Sequence, residues 1–171
     1  RCVPDPAHHV SCEPEVALRL PIKLGPRSLV YDMAFFGATS IAETKLAVAA
    51  KLVVGDYASN AKLEEAARNV LELYKEEGFA YADVKYTLDM SLDHTRARVR
   101  FDVREGERVL VKDVILRGND RTAVAAIQSR IALEVGRPFR TSDARKTQER
   151  ISTLGVFSSV TVALDDPYVP E

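Results

Sequence analysis

Three glycines recur at one fixed distance along this 171-residue chain, and that repeat limits the folds it can adopt. The pairs, each 81 residues apart, are Gly25 and Gly106, Gly37 and Gly118, and Gly55 and Gly136. A glycine often marks a position whose backbone conformation other residues do not readily adopt, rather than a packing preference. Chance therefore rarely produces three such matches without a gap. The segments LGPRSLVYDMAFFGA and EGERVLVKDVILRGN around the first two pairs also share their apolar pattern. The sequence therefore predicts a tandem repeat.

The second copy has the order strand, helix, helix, strand. Residues 109–116 form a β-rich run that ends at a turn around Gly118. A helical pattern follows until the sequence at 136–138 breaks it, and a second helical pattern ends at Gly155. Apolar and polar residues then alternate over 160–164, which is typical of a strand.

The first copy repeats this plan and adds a further strand. Residues 29–36 are predicted to form a strand, and Ser40 with Glu43 forms a capping box before the first helix. After the second helix, residues 84–90 and 97–103 alternate as two strands joined by a turn. Arginines occupy the outward positions of the last strand, which is typical of a solvated sheet face.

An ordered set of positions in both copies resembles one known module. In the second copy these positions are Val111, Val114, Leu116, Gly118, Asn119, Thr122, Gly136, Phe139, Leu154, Gly155, Phe157 and Val160. In the first copy they are Phe36, Gly37, Val54, Gly55, Asp56, Leu73, Tyr74, Gly78, Phe79, Tyr81, Ala82 and Val84. The pattern, which covers nearly all of residues 28–164, resembles the POTRA (polypeptide-transport-associated) module of BamA-like outer-membrane β-barrel assembly factors.

The resemblance implies an α+β fold built from tandem β-α-α-β-β modules. Each module would be a three-stranded mixed sheet, covered on one face by two antiparallel helices, in the strand order first, third, second. Residues 28–106 would be a complete module, and 107–171 a module that lacks its final strand. Residues 16–24 alternate like the strand 81 residues later, so 1–27 is interpreted as the C-terminal remnant of a preceding repeat.

With that strand order, the second strand is an exposed edge. An extended segment of another protein can join such an edge through main-chain hydrogen bonds, with little demand on its own sequence. We expect Lys85 or Thr87 to present an outward amide there. The candidate partner-binding residues are Val84, Lys85, Tyr86, Thr87 and Leu88 in the first copy, with Val160, Thr161 and Val162 in the second.

The resemblance also implies a setting, on the periplasmic side of the outer membrane in a Gram-negative-type envelope. The chain would be a soluble scaffold or chaperone-like region, covalently linked to an outer-membrane β-barrel downstream. Its partners would be unfolded outer-membrane proteins, periplasmic chaperones or assembly lipoproteins. Two-partner secretion transporters and translocation-and-assembly factors carry the same module and remain alternatives. Cell-division proteins are expected to carry a single copy, so the tandem repeat counts against them.

Composition and motifs argue against other classes. The formal net charge is −1, which gives no electrostatic footprint for nucleic acid. A KH-type RNA-binding module also has β-α-α-β order, but it needs a G-x-x-G loop, and the loops at 54–58 and 135–139 hold one glycine each. Catalytic motifs are absent, and acid pairs such as Glu76 and Glu77 are expected to face water. We therefore expect a non-enzyme without cofactor or metal.

The N-terminal segment holds the two cysteines of the chain, Cys2 and Cys12, with His8 and His9 between them. These are zinc-ligand types, but they lack the usual ligand spacing. A disulfide between the cysteines is expected in an oxidising compartment, and free thiols otherwise. The prolines of this segment predict little regular structure before Val16.

Overall fold

A computed structural model of the chain describes residues 2–4, 10–12, 18–22, 27–119 and 122–165. Two short strands come first, and seven further elements follow along the chain. In order they are β1 (Cys2–Pro4), β2 (Val10–Cys12), β3 (Leu29–Phe36), α1 (Glu43–Ala50), α2 (Asn60–Glu76), β4 (Asp83–Met90), β5 (Arg96–Arg104), α3 (Val124–Gln128) and α4 (Thr141–Ser152). We call residues 28–106 the first module and residues 107–165 the second module.

The sheet of the first module has the order β3-β5-β4, with β5 in the centre. β5 runs parallel to β3 and antiparallel to β4, so the sheet is mixed. The expected strand order and the expected α+β fold are thus confirmed. The ladder between β4 and β5 is regular, whereas β3 carries an irregularity between Val30 and Asp32.

One face of this sheet packs on the two helices. The central strand alternates, with Ala97, Val99, Phe101 and Val103 buried and its arginines facing away from the helices. Phe101 stacks on a phenylalanine of β3 at 5.0 Å between ring centroids. α2 supplies the largest apolar stripe, which consists of Leu63, Ala66, Ala67, Val70 and Tyr74. This arrangement buries one sheet face and leaves the other open to solvent.

The two strands predicted in the second module, at 109–116 and 160–164, do not form. Within its described residues this module has one isolated antiparallel bridge, between Leu110 and Pro138. The strand order of the first module explains the difference, because β3 and β4 each pair only with the central β5. Among the described residues of the second module no strand takes the position that β5 has in the first, so neither outer segment has a ladder partner there.

Backbone hydrogen bonds nevertheless repeat at the predicted offset. The amide of Gly55 donates to the carbonyl of Val30, and the amide of Gly136 donates to the carbonyl of Val111, each at 2.7 Å. The two valines are both buried. The tandem repeat is therefore confirmed at the level of single hydrogen bonds, although the first helix shortens from eight residues in α1 to five in α3.

The N-terminal segment is more regular than its prolines predict. β1 and β2 pair antiparallel, and their register places Cys2 opposite Cys12. Pro4 lies in β1, which pairs with one strand only, and a strand at the edge of a sheet tolerates proline. The expectation of little regular structure before Val16 is wrong at these residues. The disulfide between the two cysteines stays a prediction, and His8 and His9 lie outside the described residues.

Residues 18–22 form no ladder with the rest of the described chain. The side chains of Leu18, Leu20 and Ile22 are more than three-quarters exposed. The remaining residues of 16–24 lie outside the described part of the chain. The division at residues 27 and 106, and the interpretation of 1–27 as a remnant of another repeat, stay proposals.

Candidate functional site

β4 forms one border of the sheet in the first module. Its ladder partner is β5 on one side, and no other described strand pairs with it. The amide of Ser91, just after β4, donates to the carbonyl of Arg96 at 2.9 Å, which makes this pair a hydrogen-bonded one. In a regular antiparallel ladder such pairs alternate, so every second residue of β4 turns its amide and carbonyl away from β5. The residues with outward backbone groups are Val84, Tyr86, Leu88 and Met90.

The structure divides the predicted edge residues into two sets. Val84, Tyr86 and Leu88 point half-buried side chains toward the helices and their backbone groups toward the free edge. Lys85 and Thr87 have exposed side chains on the other face of the sheet, and their amides face β5. The expectation that Lys85 or Thr87 offers an outward amide is therefore wrong. Which amides of β4 face outward depends on which residue pairs of the β4–β5 ladder are hydrogen-bonded, and the sequence does not reveal this.

A groove of about 450 Å³ lies between this edge and α2. Its lining residues are Glu64, Ala67 and Arg68 of α2 together with Val84, Lys85 and Tyr86 of β4. Glu64 and Arg68 approach each other at 3.9 Å on the helix side of the groove. A strand added beside β4 would direct every second side chain into this groove, because side chains of a strand alternate between faces.

The second predicted edge differs from the first. Val160 and Val162 are half-buried and Thr161 is exposed, but these residues belong to no ladder. A segment without a sheet behind it cannot hold a row of backbone groups in the regular spacing that strand addition needs. Of the two predicted edges, β4 is therefore the one that the structure presents as a regular strand with a free side.

The open face of the sheet carries paired charges. Arg98 forms an ion pair with Asp32 at 2.8 Å, and Arg100 forms one with Asp102 at 2.8 Å. The guanidinium of Arg100 also lies 4.8 Å from the centre of the Phe36 ring. The arginine-rich strand thus faces solvent together with its acidic partners rather than as a uniform basic surface.

Glu105 forms a cluster of hydrogen bonds that sequence reasoning missed. Its carboxylate accepts from the amide of Thr39 at 2.7 Å, from the amide of Ser40 at 2.8 Å, and from both of their hydroxyls at 2.7 Å. The hydroxyl of Tyr74, on α2, donates to it at 3.0 Å. Ser40 therefore binds Glu105 rather than capping α1, whose N-cap is Ala42 without a side-chain hydrogen bond. The predicted capping box with Glu43 is wrong.

This cluster ties three parts of the first module together and shifts two pKa values. Burial opposes ionisation of Glu105, but the hydrogen bonds from Ser40 and Thr39 outweigh it and hold the pKa of the carboxyl at about 2. Burial first, and the neighbouring carboxylate second, raise the pKa of the Tyr74 hydroxyl well above its ordinary value. Glu105 thereby joins the end of β5, the loop between β3 and α1, and α2.

No group of three or more potential metal-ligating side chains occurs within the described ranges. In the same part of the chain, none of the helices has the length and apolar character to cross a bilayer.

The chain is similar to known proteins at the level of family and fold. The family model described as POTRA, surface antigen variable number repeat, matches residues 30–106 and again 109–170. A crystal structure of Haemophilus influenzae BamA POTRA3-5 superposes with a TM-score of 0.70 at 15% identity, covering 86% of this chain and 58% of that chain. The search of curated proteins gives no match.

Two further solved structures share the fold. BamA from Haemophilus ducreyi lacking POTRA domains 1-3 has a TM-score of 0.73 at 20% identity, covering 82% of this chain and 26% of that chain. POTRA1-2 of the periplasmic domain of Omp85 from Anabaena has a TM-score of 0.53 at 16% identity, covering 81% and 87%. The chain spans just over half of the H. influenzae structure and about a quarter of the H. ducreyi structure. With two family matches across most of its length, a repeated hydrogen-bond pattern and a β3-β5-β4 sheet, the chain belongs to the POTRA family.

Proposed function

We propose that this chain is a periplasmic scaffold region of an Omp85-type assembly factor, linked to an outer-membrane β-barrel. Its clients are unfolded outer-membrane proteins, and periplasmic chaperones or assembly lipoproteins can use the same kind of contact. Binding occurs by β-augmentation, in which an extended client segment becomes a fourth strand beside β4. Family membership and the shared fold support this setting, since the similar structures include BamA and Omp85 POTRA domains.

The free backbone groups of β4 beside an apolar groove carry the proposal. Four residues, Val84, Tyr86, Leu88 and Met90, direct their amides and carbonyls outward at the regular spacing of a strand. Main-chain bonds provide affinity for any extended segment, while the groove beside α2 favours clients with apolar residues at alternate positions. A strand destined for a membrane barrel has this alternation, because one of its faces contacts lipid.

A pair of backbone-methylated peptides tests this mode of binding. The parent is a nine-residue peptide with alternating apolar and polar residues, and each analogue carries N-methyl groups at three alternate amides, one analogue for each parity. Methylation of amides that donate to β4 removes about three hydrogen bonds, so we expect one analogue to bind roughly 100-fold more weakly. The other analogue should bind within a few-fold of the parent, as measured by calorimetry or fluorescence anisotropy.

The two analogues control for each other, because they share composition, charge and number of methyl groups. Equal affinity of both analogues, whether strong or weak, would contradict strand addition and indicate side-chain recognition of the peptide instead.

A further inference from the structure

Two adjacent carboxylates stand at the C-terminal end of α2, where the helix dipole disfavours negative charge. They are Glu76, the last residue of the helix, and Glu77, its C-cap. The sequence predicts that both simply face water. The structure shows otherwise, because each of them has a partner outside α2.

Glu76 reaches across the boundary to the second module. Its Oε1 accepts from the amide of Ser142 at 2.7 Å, and its Oε2 accepts from the Ser142 hydroxyl at 2.5 Å. Ser142 lies in the first turn of α4. The first amides of a helix have no partner within the helix, and negative charge is favourable at that end. The Glu76 carboxylate is thus unfavourable at the C-terminal end of α2 but favourable at the N-terminal end of α4.

The repeat shows why α4 needs this carboxylate. In the first module the N-cap of α2 is Ser59, whose hydroxyl accepts from the amide of Lys62. The residue 81 positions later is Arg140, the N-cap of α4, which makes no side-chain cap. Arginine has no acceptor, so it cannot satisfy the first-turn amides. Glu76 supplies from the neighbouring module the acceptor that α4 lacks.

Residues of the second module in turn donate hydrogen bonds to backbone carbonyls at the end of α2. The guanidinium Nε of Arg108 donates to the carbonyl of Glu77 at 2.9 Å, and the amide of Val109 donates to the carbonyl of Gly78 at 2.8 Å. A Cβ added at Gly78 would lie 2.9 Å from the Cβ of Pro138, so the two surfaces touch closely there. Each module thereby satisfies backbone groups at a helix end of the other.

From these contacts we propose that Glu76 is a latch: it caps α4 across the boundary and holds the two modules at one fixed angle. The docked geometry satisfies both helix ends, whereas separation leaves α4 without a cap and Glu76 at the wrong end of α2. The junction is then a rigid element that fixes the direction of β4 relative to the second module. This inference does not depend on which partner binds β4.

Residual dipolar couplings measured on the whole chain test the latch, because rigidly joined modules share one alignment tensor. The native chain is expected to fit a single tensor. In Glu76→Ala we expect two different tensors, together with amide exchange at Ser142 that is about tenfold faster through loss of a cap. Glu65→Ala, which removes an exposed acid from the same helix, and Arg140→Ser alone should each keep the single tensor.

The double variant Glu76→Ala, Arg140→Ser separates the latch from the stability of α4. Serine at position 140 gives α4 its own cap, so protection of the Ser142 amide should return while the two modules still align independently. This variant also decides the matter if Glu76→Ala alone unfolds the second module. A single tensor in Glu76→Ala, or a return of the single tensor in the double variant, would overturn the proposal.

Discussion

Alanine at Gly37 is expected to destabilise the first module by about 3 kcal/mol, with loss of its regular sheet at high temperature. Gly37 has φ +78°, and a Cβ built on it would lie 2.2 Å from the carbonyl oxygen of Val103 in β5. The neighbour is backbone of the central strand, which cannot rotate away as a side chain can. The left-handed conformation costs about 1–2 kcal/mol for an L-residue, and overpacking adds about 1–3 kcal/mol.

The repeat offers a matched control for this substitution. Gly118 lies 81 residues after Gly37 and has nearly the same φ, +76°, but nothing lies within 4 Å of the position that a Cβ would take there. Gly118→Ala should therefore cost only the conformational penalty, about 1–2 kcal/mol. Urea unfolding, followed by circular dichroism and by amide exchange in each module, measures both variants. Equal losses of unfolding free energy in the two variants would show that the close contact between Val103 and Gly37 does not affect stability.

Glutamine at Glu105 is the second change with a large expected effect. The native carboxylate accepts five hydrogen bonds from Thr39, Ser40 and Tyr74. An amide keeps one acceptor oxygen and places an NH₂ group against donors, so the variant should lose about 2–3 kcal/mol of unfolding free energy at neutral pH. Glu107→Gln, two residues further on at an exposed position, is the control and should change stability little.

Comparison of the native chain with Glu105→Gln also predicts how the unfolding free energy depends on pH. The folded pKa of Glu105 is about 2, below its ordinary value near 4.5, so the ionised carboxylate favours the folded state. This contribution is fully present above pH 4.5 and is lost as the pH falls from there toward about 2. The stability difference between the native chain and Glu105→Gln should stay constant at neutral pH and shrink below about pH 4.5. A difference that persists unchanged at about pH 3 would contradict the assigned role of the charge.

The sequence predicts the first module well because its signals are local or periodic. Alternation in β5 reflects burial on one face, and residues such as Ala97 and Phe101 occupy the positions that alternation assigns to the core. The offset of the glycines reflects backbone demands that recur in both copies, as the hydrogen bonds of Gly55 and Gly136 show. Strand order came from the family resemblance rather than from periodicity, and the structure bears it out.

The missed features depend on contacts between distant residues. Ser40 and Glu43 have the spacing of a capping box, but Glu105 competes for Ser40 from 65 positions away, and nothing in the local pattern indicates it. Glu76 looks like a solvated acid until α4 is placed beside it. Likewise, alternation identifies the faces of β4 but leaves open which of its amides point to the free edge, because that depends on the register with β5.

Hydrogen exchange at the amides of β4, measured by NMR with and without an alternating client peptide, tests strand addition most directly. If a client strand adds beside β4, exchange should slow in the bound state at Val84, Tyr86, Leu88 and Met90, whose amides face the free edge. Lys85 and Thr87 should change little, because their amides already face β5. Unaltered exchange at all four edge amides under saturating peptide would contradict strand addition.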